Sequence, residues 1–340
     1  MRLKQRLLQG AQAGLYLSGV SWLYVRTASP TGAVILMYHS ISTPERRRWH
    51  DPANTIDASR FRQQVKFLTR HRRVISFSDL VSTIRCGDDP PAGSVAITFD
   101  DGYLDNLEVA APILAEFGLP ALLYLCTGYV GRGENQWVDR VHTTLQTRTC
   151  NELSLPGCSA HIALDDQQQM QRARREINDM MIQASLEGRE ELLLSLEEQL
   201  SPREAGPRLT MTWAEARRMR DEFGLMELGV HTSNHCDLRS ASDLTRQREL
   251  AACCEDFRRE LGYGPVHFSF PYGRSDAAGR ELVKAEGLGS AIASGANSQI
   301  TAASDPYWLS RVTAPQSMTF LRYLTGGAYP SLPQKLFGRP

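Results

Sequence analysis

The sequence has no net charge, 38 Lys and Arg balancing 38 Asp and Glu over 340 residues. Nucleic-acid binding needs a basic field, so that class of partner is excluded. Cysteine is odd in number and scattered apart from one adjacent pair. The seven residues fall at positions 86, 126, 150, 158, 236, 253 and 254 without a Cys-x-x-Cys spacing. That argues against a zinc knuckle or a redox dithiol and fits a reducing compartment. Cys126 and Cys236 lie in or beside apolar stretches and read as buried thiols. Long apolar runs are also missing. Residues 7–25 come nearest, but Gln9, Gln12 and several glycines interrupt them, and no small-x-small cleavage site follows. With neither a repeat nor a low-complexity linker, the 42% hydrophobic content points to a globular protein with a sizeable core.

The start of the chain is basic and amphipathic. Arg2, Lys4 and Arg6 precede Leu8, Ala11, Leu15, Ser18 and Trp22, which fall on one helical face decorated by Tyr16 and Tyr24. Such a helix either lies on a membrane surface or packs on the domain. The expected segments are residues 1–30 for this helix, 31–325 for the main domain and 326–340 for a tail. Without a signal peptide the expected location is the cytoplasm, with the inner membrane face as the place of any peripheral contact.

From residue 33 onward short β-rich runs alternate with amphipathic charged segments, the pattern of a (β/α) fold on a mainly parallel sheet or barrel. Strands are expected near 33–38, 74–76, 95–99, 121–125, 228–230, 266–270, 290–293 and 309–313. Helices are expected at 59–71, 107–117 and 243–261. Residues 139–208 break the alternation, being rich in Gln and Glu, and 165–200 read as one or two helices. They form either a helical insertion at about 140–208 that shapes a cleft or a solvated surface pair.

Three motifs follow apolar strands. Val95 to Phe99 runs into Asp100-Asp101-Gly102-Tyr103, and two adjacent carboxylates at a strand end are costly unless something uses their charge. Asp-Gly is also a common turn, so this motif alone decides nothing. Val230 leads into His231-Thr232-Ser233-Asn234-His235, whose histidines share a face if the segment begins a helical turn. Two imidazoles plus Asp101 form a set that holds a hydrolytic metal with open positions. The third motif, Phe268-Ser269-Phe270-Pro271-Tyr272-Gly273, ends a strand at a proline and displays Tyr272 either toward a sugar site or as a packed aromatic.

Together, in this order and spacing, these residues resemble the polysaccharide deacetylase family, also called the NodB-homology domain or carbohydrate esterase family 4. The resemblance spans about residues 33–315. It implies a deformed (β/α)7-type barrel, here with a helical insertion. It also implies a divalent metal of the Zn²⁺ type that hydrolyses N-acetyl, sometimes O-acetyl, groups on a carbohydrate partner. Asp100 takes the place of the general base, and Asp101, His231 and His235 those of the metal ligands. Ile35-Leu36-Met37-Tyr38-His39 is similar to the opening strand of exopolysaccharide and biofilm deacetylases, where a histidine at the His39 position is the acid. An ordinary imidazole pKa of about 6.5 suits that role.

Two departures stand out. Ser269 occupies a position where many relatives carry the arginine that orients the base, and Arg311 is the candidate replacement. No histidine follows His267, so the family's late histidine is missing and His39 gains weight as acid. Trp137-Val138-Asp139 either lines the cleft or opens the insertion, and the backbone N–H of Tyr103 is a candidate oxyanion donor. The expected reaction is deacetylation. Its rivals are an O-acetyl esterase or amidase on the same fold and a non-catalytic carbohydrate-binding or scaffold protein.

Overall fold

The computed structural model describes residues 32–156, 162–294 and 299–327, together with Gly14, residues 17–20 and Leu23. Most of the expected amphipathic face at the start, Leu8, Ala11, Leu15, Tyr16, Trp22 and Tyr24, lies outside these residues. Leu17, Val20 and Leu23 are exposed. Among the described residues no helix is long and apolar enough to cross a membrane.

Seven parallel strands close into a barrel. In chain order the first are β1 (Ala33–Tyr38), β2 (Ser40–Ser42) and β3 (Thr55–Asp57), followed by helix α1 (Ala58–His71) and β4 (Arg73–Val74). Helix α2 (Phe77–Arg85) leads to β5 (Ser94–Phe99). The next segment opens with a π turn over Asn106–Ala110 before α3 (Ala111–Glu116), so the single helix expected at 107–117 is split. Then come β6 (Ala121–Leu125), α4 (Thr127–Arg132) and α5 (Trp137–Thr147). A short hairpin, β7 (Glu152–Leu153) with β8 (Ile162–Ala163), precedes α6 (Gln167–Gln183) and α7 (Leu186–Leu200). The chain resumes with α8 (Trp213–Glu222), β9 (Met226–Val230), α9 (Asp243–Leu261), β10 (His267–Ser269) and α10 (Ala277–Ala285). It continues through β11 (Ser290–Ser294), β12 (Gln299–Ile300), β13 (Leu309–Thr313) and α11 (Met318–Leu324).

Around the barrel the order is β1, β5, β6, β9, β10, β11, β13 and back to β1. The closing pair is the longest, joining all of β1 to all of β5. At the lower end the ring opens: β4 pairs with the start of β5, and β12 runs antiparallel to the start of β1.

Strand parity assigns each side chain to a face. Ala33, Ile35, Ala96, Leu122, Tyr124, Ile292 and Leu309 point into the barrel, where Phe77, Leu80, Val81 and Ile84 of α2 plug the bottom. Val34, Leu36, Tyr38, Val95, Ile97, Phe99, Leu123 and Leu125 point outward to the helices. The next inward layer, Thr98, Ser269 and Arg311, is polar, and it floors the site.

The long polar region is folded. α5, α6 and α7 enclose a second apolar core containing Trp137, Val141, Leu145, Ile177, Met181, Leu193 and Leu196. Its reading as a merely solvated helix pair is therefore set aside.

Candidate active site

The strands' C-terminal ends carry the chemistry, as in (β/α) barrels generally. Asp100 keeps the inward parity of Ala96 and Thr98. Asp101 should then point outward, but its backbone is left-handed at φ 77, followed by Gly102 at φ 76, and this swings the second carboxylate to the same site. Thr232 (φ 61), His235 (φ 52) and Tyr272 (φ 57) are left-handed too, and the one other such non-glycine residue described is Ser201. Backbone strain gathered at one place marks a built site. It also corrects the expectation of a helical turn at His231 to His235: the segment is a loop, and its left-handed residues bring the two histidines together.

Asp101 Oδ1 lies 3.4 Å from His235 Nε2 and 3.7 Å from His231 Nε2. Tetrahedral ligands at zinc bond lengths stand about 3.3 Å apart, so these contacts match donors around one ion. The His231 Nδ1–H donates to the Ser269 carbonyl at 2.7 Å, which leaves the Nε2 lone pair facing the carboxylates. Tyr272 packs edge-on against the His235 ring, with centroids 4.5 Å apart. Cys126, which sequence reasoning read only as a buried thiol, joins this cluster: Asp101, Cys126 and His231 offer ligand atoms all within 4.8 Å of one another. Burial and Asp101 push its thiol well above the ordinary range, and it donates weakly to the His231 carbonyl, so it behaves as a neutral neighbour.

The electrostatics are consistent with a cation site. Burial, then Asp100 and Asp139, push Asp101 well above the carboxylate range, while burial holds both imidazoles below theirs. A buried acid flanked by neutral imidazoles is a donor set that a dication satisfies. Asp100 behaves oppositely. Burial pushes its pKa up, yet Arg311 and then His231 outweigh that and hold it well below the usual range. Arg311 grips both carboxylate oxygens, with Nη1 at 2.7 Å from Oδ1 and Nη2 on Oδ2, and Nη2 also donates to Ser269 Oγ at 2.8 Å. Thus Arg311, the candidate replacement for the arginine expected at the Ser269 position, does reach the Asp100 carboxylate, and its guanidinium arrives from β13.

These groups line a cleft of about 350 Å³ that also includes His39, Trp137, Tyr272, Gln136, Asp51, Asn54, Arg174 and Asn178. His39 lies partly buried at the mouth. Burial lowers its pKa to about 4, with Asp100 pulling it up and Arg311 and His231 pushing it down. The ordinary value of about 6.5 assumed from sequence therefore does not hold. Asp139 and the Tyr103 side chain are not on the wall. Both are buried behind it, and burial pushes Asp139 up to about 8. Tyr103 forms an isolated antiparallel bridge with Thr210. Sequence reasoning missed Asp51, Arg174 and Asn178. The i, i+4, i+8 spacing of Arg174, Asn178 and Ile182 on α6 was the available signal for the last two.

A parallel barrel with paired carboxylates and imidazoles at its C-terminal mouth is the layout of a (β/α)-barrel enzyme. The polysaccharide deacetylase family profile matches residues 87–186 and 201–290, and the chain belongs to that family. It is 26% identical over 141 residues to YxkH of Bacillus subtilis (strain 168), assigned by name to the polysaccharide deacetylases. That match covers 39% of this chain and 48% of the relative, about half its length. Among solved structures, the Streptococcus pyogenes deacetylase PplD in complex with acetate superimposes with a TM-score of 0.58 at 18% identity, covering 88% of this chain and 100% of that one. IcaB from Ammonifex degensii gives 0.55 at 17% identity, covering 88% and 98%. These two likenesses concern the fold.

Proposed function

We propose that the protein is a metal-dependent carbohydrate deacetylase that removes N-acetyl groups from a glycan and releases acetate. The observation that carries this reading is the convergence of Asp101, His231 and His235 beside an Asp100 held ionised by Arg311. A divalent metal of the zinc type held by those three residues would supply Lewis acidity at the scissile carbonyl and acidify water.

The chain's own groups then divide the proton work. Asp100 is ionised throughout the neutral range, always ready to accept the proton of the attacking water. Its low proton affinity makes it a weak base, which is why the water must be acidified. Arg311 fixes the carboxylate plane. His39, neutral at rest and the stronger base of the two, takes over the water proton collected by Asp100 and passes it to the departing nitrogen, so that Asp100 ends ionised as it began. The wall formed by Trp137, Tyr272, Asn178 and the Asp51–Arg174 pair, which is 2.9 Å apart, holds the sugar. Family membership and the fold shared with deacetylases support the reading.

The test is acetate release from N-acetylated and O-acetylated oligosaccharides, with and without chelator, for the unaltered protein and Asp100→Asn. Loss of about 10²-fold or more in turnover, with metal content retained, is expected for the variant. Full activity in Asp100→Asn or in chelator overturns the assignment, and release from O-acetyl substrates alone redirects it to an esterase.

A further inference from the structure

Helix α7 lies almost entirely in the gap at 187–200 that the family profile leaves unmatched, yet it sends one side chain to the metal-ligand loop. Arg189 is 4% exposed. Its Nε donates to the Met181 carbonyl at 3.1 Å and its Nη1 to the Asn234 carbonyl at 3.0 Å, and its guanidinium lies 5.6 Å from the Trp137 ring. It has no ion-pair partner among the described residues. A buried cation satisfied by main-chain carbonyls, the Tyr129 hydroxyl and an aromatic face, with no counter-charge, is costly, which is more than packing alone requires.

Its partner shows the use. Every hydrogen-bonding group of Asn234 is taken, by three helices. The N–H and Nδ2 donate to Glu249 of α9, both at 2.8 Å, Oδ1 accepts from Arg132 of α4 at 3.1 Å, and the carbonyl accepts from Arg189. The very next residue is His235, held at φ 52, a conformation that costs about 1–3 kcal/mol unless its surroundings enforce it. The carbonyl that Arg189 grips belongs to the peptide plane joining Asn234 to His235.

We propose that Arg189 is a positioning residue for the metal centre: by fixing the Asn234 carbonyl, it sets the peptide that turns His235 toward Asp101. The inserted helical pair is thereby part of the metal site's scaffold. This rests on the metal reading above.

The experiment measures zinc affinity of the full chain by chelator competition, and the visible absorption of the cobalt-loaded form, in the unaltered protein, Arg189→Met and Arg189→Lys. Arg189→Met is expected to weaken zinc about 10- to 100-fold and shift the cobalt spectrum, with Arg189→Lys in between. Unchanged affinity and spectrum in Arg189→Met overturn the inference. Should that variant fail to fold, Arg189→Lys decides, since an ammonium cannot reproduce the guanidinium's two-carbonyl span and wild-type behaviour there overturns it equally. An unaltered protein that takes up neither metal overturns the parent reading as well, which distinguishes the two failures.

Discussion

Asp100 and Asp101 are neighbours in the chain with opposite electrostatic fates, and backbone geometry separates them. Asp100 follows strand parity into the barrel and meets Arg311, whereas Asp101 is turned by a left-handed backbone toward the imidazoles. Arg311 should therefore matter to stability as well as chemistry. Both partners are almost fully buried, and removing one leaves the other's charge uncompensated. Arg311→Met is expected to lose about 3–5 kcal/mol in urea unfolding at neutral pH, together with most acetate release. A loss below about 1 kcal/mol would mean that Asp100 finds another cation. The sequence exposed the identity of these residues but not their geometry. Asp100, Asp101, His231 and His235 could be singled out from motif order, and Arg311 as the candidate for the arginine missing at Ser269, whereas the left-handed turns at Asp101 and His235 leave no mark in the motif. His39 was located, but its low pKa is a product of burial and could not be read from composition.

At the level of elements, the strands were legible because parallel-barrel strands are short apolar runs at regular intervals. Each expected strand segment has its counterpart, and β1 and the α9 helix run over the expected residues. The two-residue β12 and the β2–β3 pair carry too few residues for a periodic signal, and the π turn at Asn106–Ala110 has none. The wall of α6 escaped notice because helical spacing shows which residues share a face but not what that face meets. One close approach gives an element-scale prediction. A Cβ on Gly229 would stand 2.7 Å from the His267 carbonyl oxygen and 2.9 Å from Tyr124 Cδ1, so β9 and β10 pair only with glycine there. Gly229→Ala should cost about 1–3 kcal/mol by denaturant unfolding. Because His231 lies two residues on, it should also weaken zinc binding. A variant with unchanged stability would show that β9 shifts freely. The α8 capping box, in which Thr212 and Glu215 satisfy each other's backbone N–H, offers a gentler case: Thr212→Ala should cost about 1 kcal/mol by the same measurement.

For the whole molecule, buried titratable groups set the pH response. Burial lowers His50 and His267 to about 4, below the unfolded value of about 6.5. Their contributions are present above pH 6.5 and lost as pH falls toward 4. Burial raises Asp105 to about 6 and Asp139 to about 8, so theirs are present below the unfolded carboxylate pKa and lost as pH rises through those values. The two sets oppose each other in the acid range, but above pH 6.5 only Asp139 of these four still titrates. Asp101, also pushed well above the carboxylate range in the metal-free protein, adds to the same loss, so stability should fall by about 2 kcal/mol or more between pH 6.5 and 8, and Asp139→Asn should reduce that slope in urea midpoints. An equal slope in the variant would assign the loss to other groups.

Barrel closure has a consequence for how this chain comes into being. Asp100 sits on the second barrel strand and its counter-ion on the last, so a growing polypeptide exposes the acid long before its guanidinium exists. Until β13 slots between β11 and β1, that carboxylate is better off hydrated than enclosed. The final staves of the barrel thus arrive together with the neutralising charge, and a chain stopped short of them would carry every proposed metal ligand yet lack the interior in which they work.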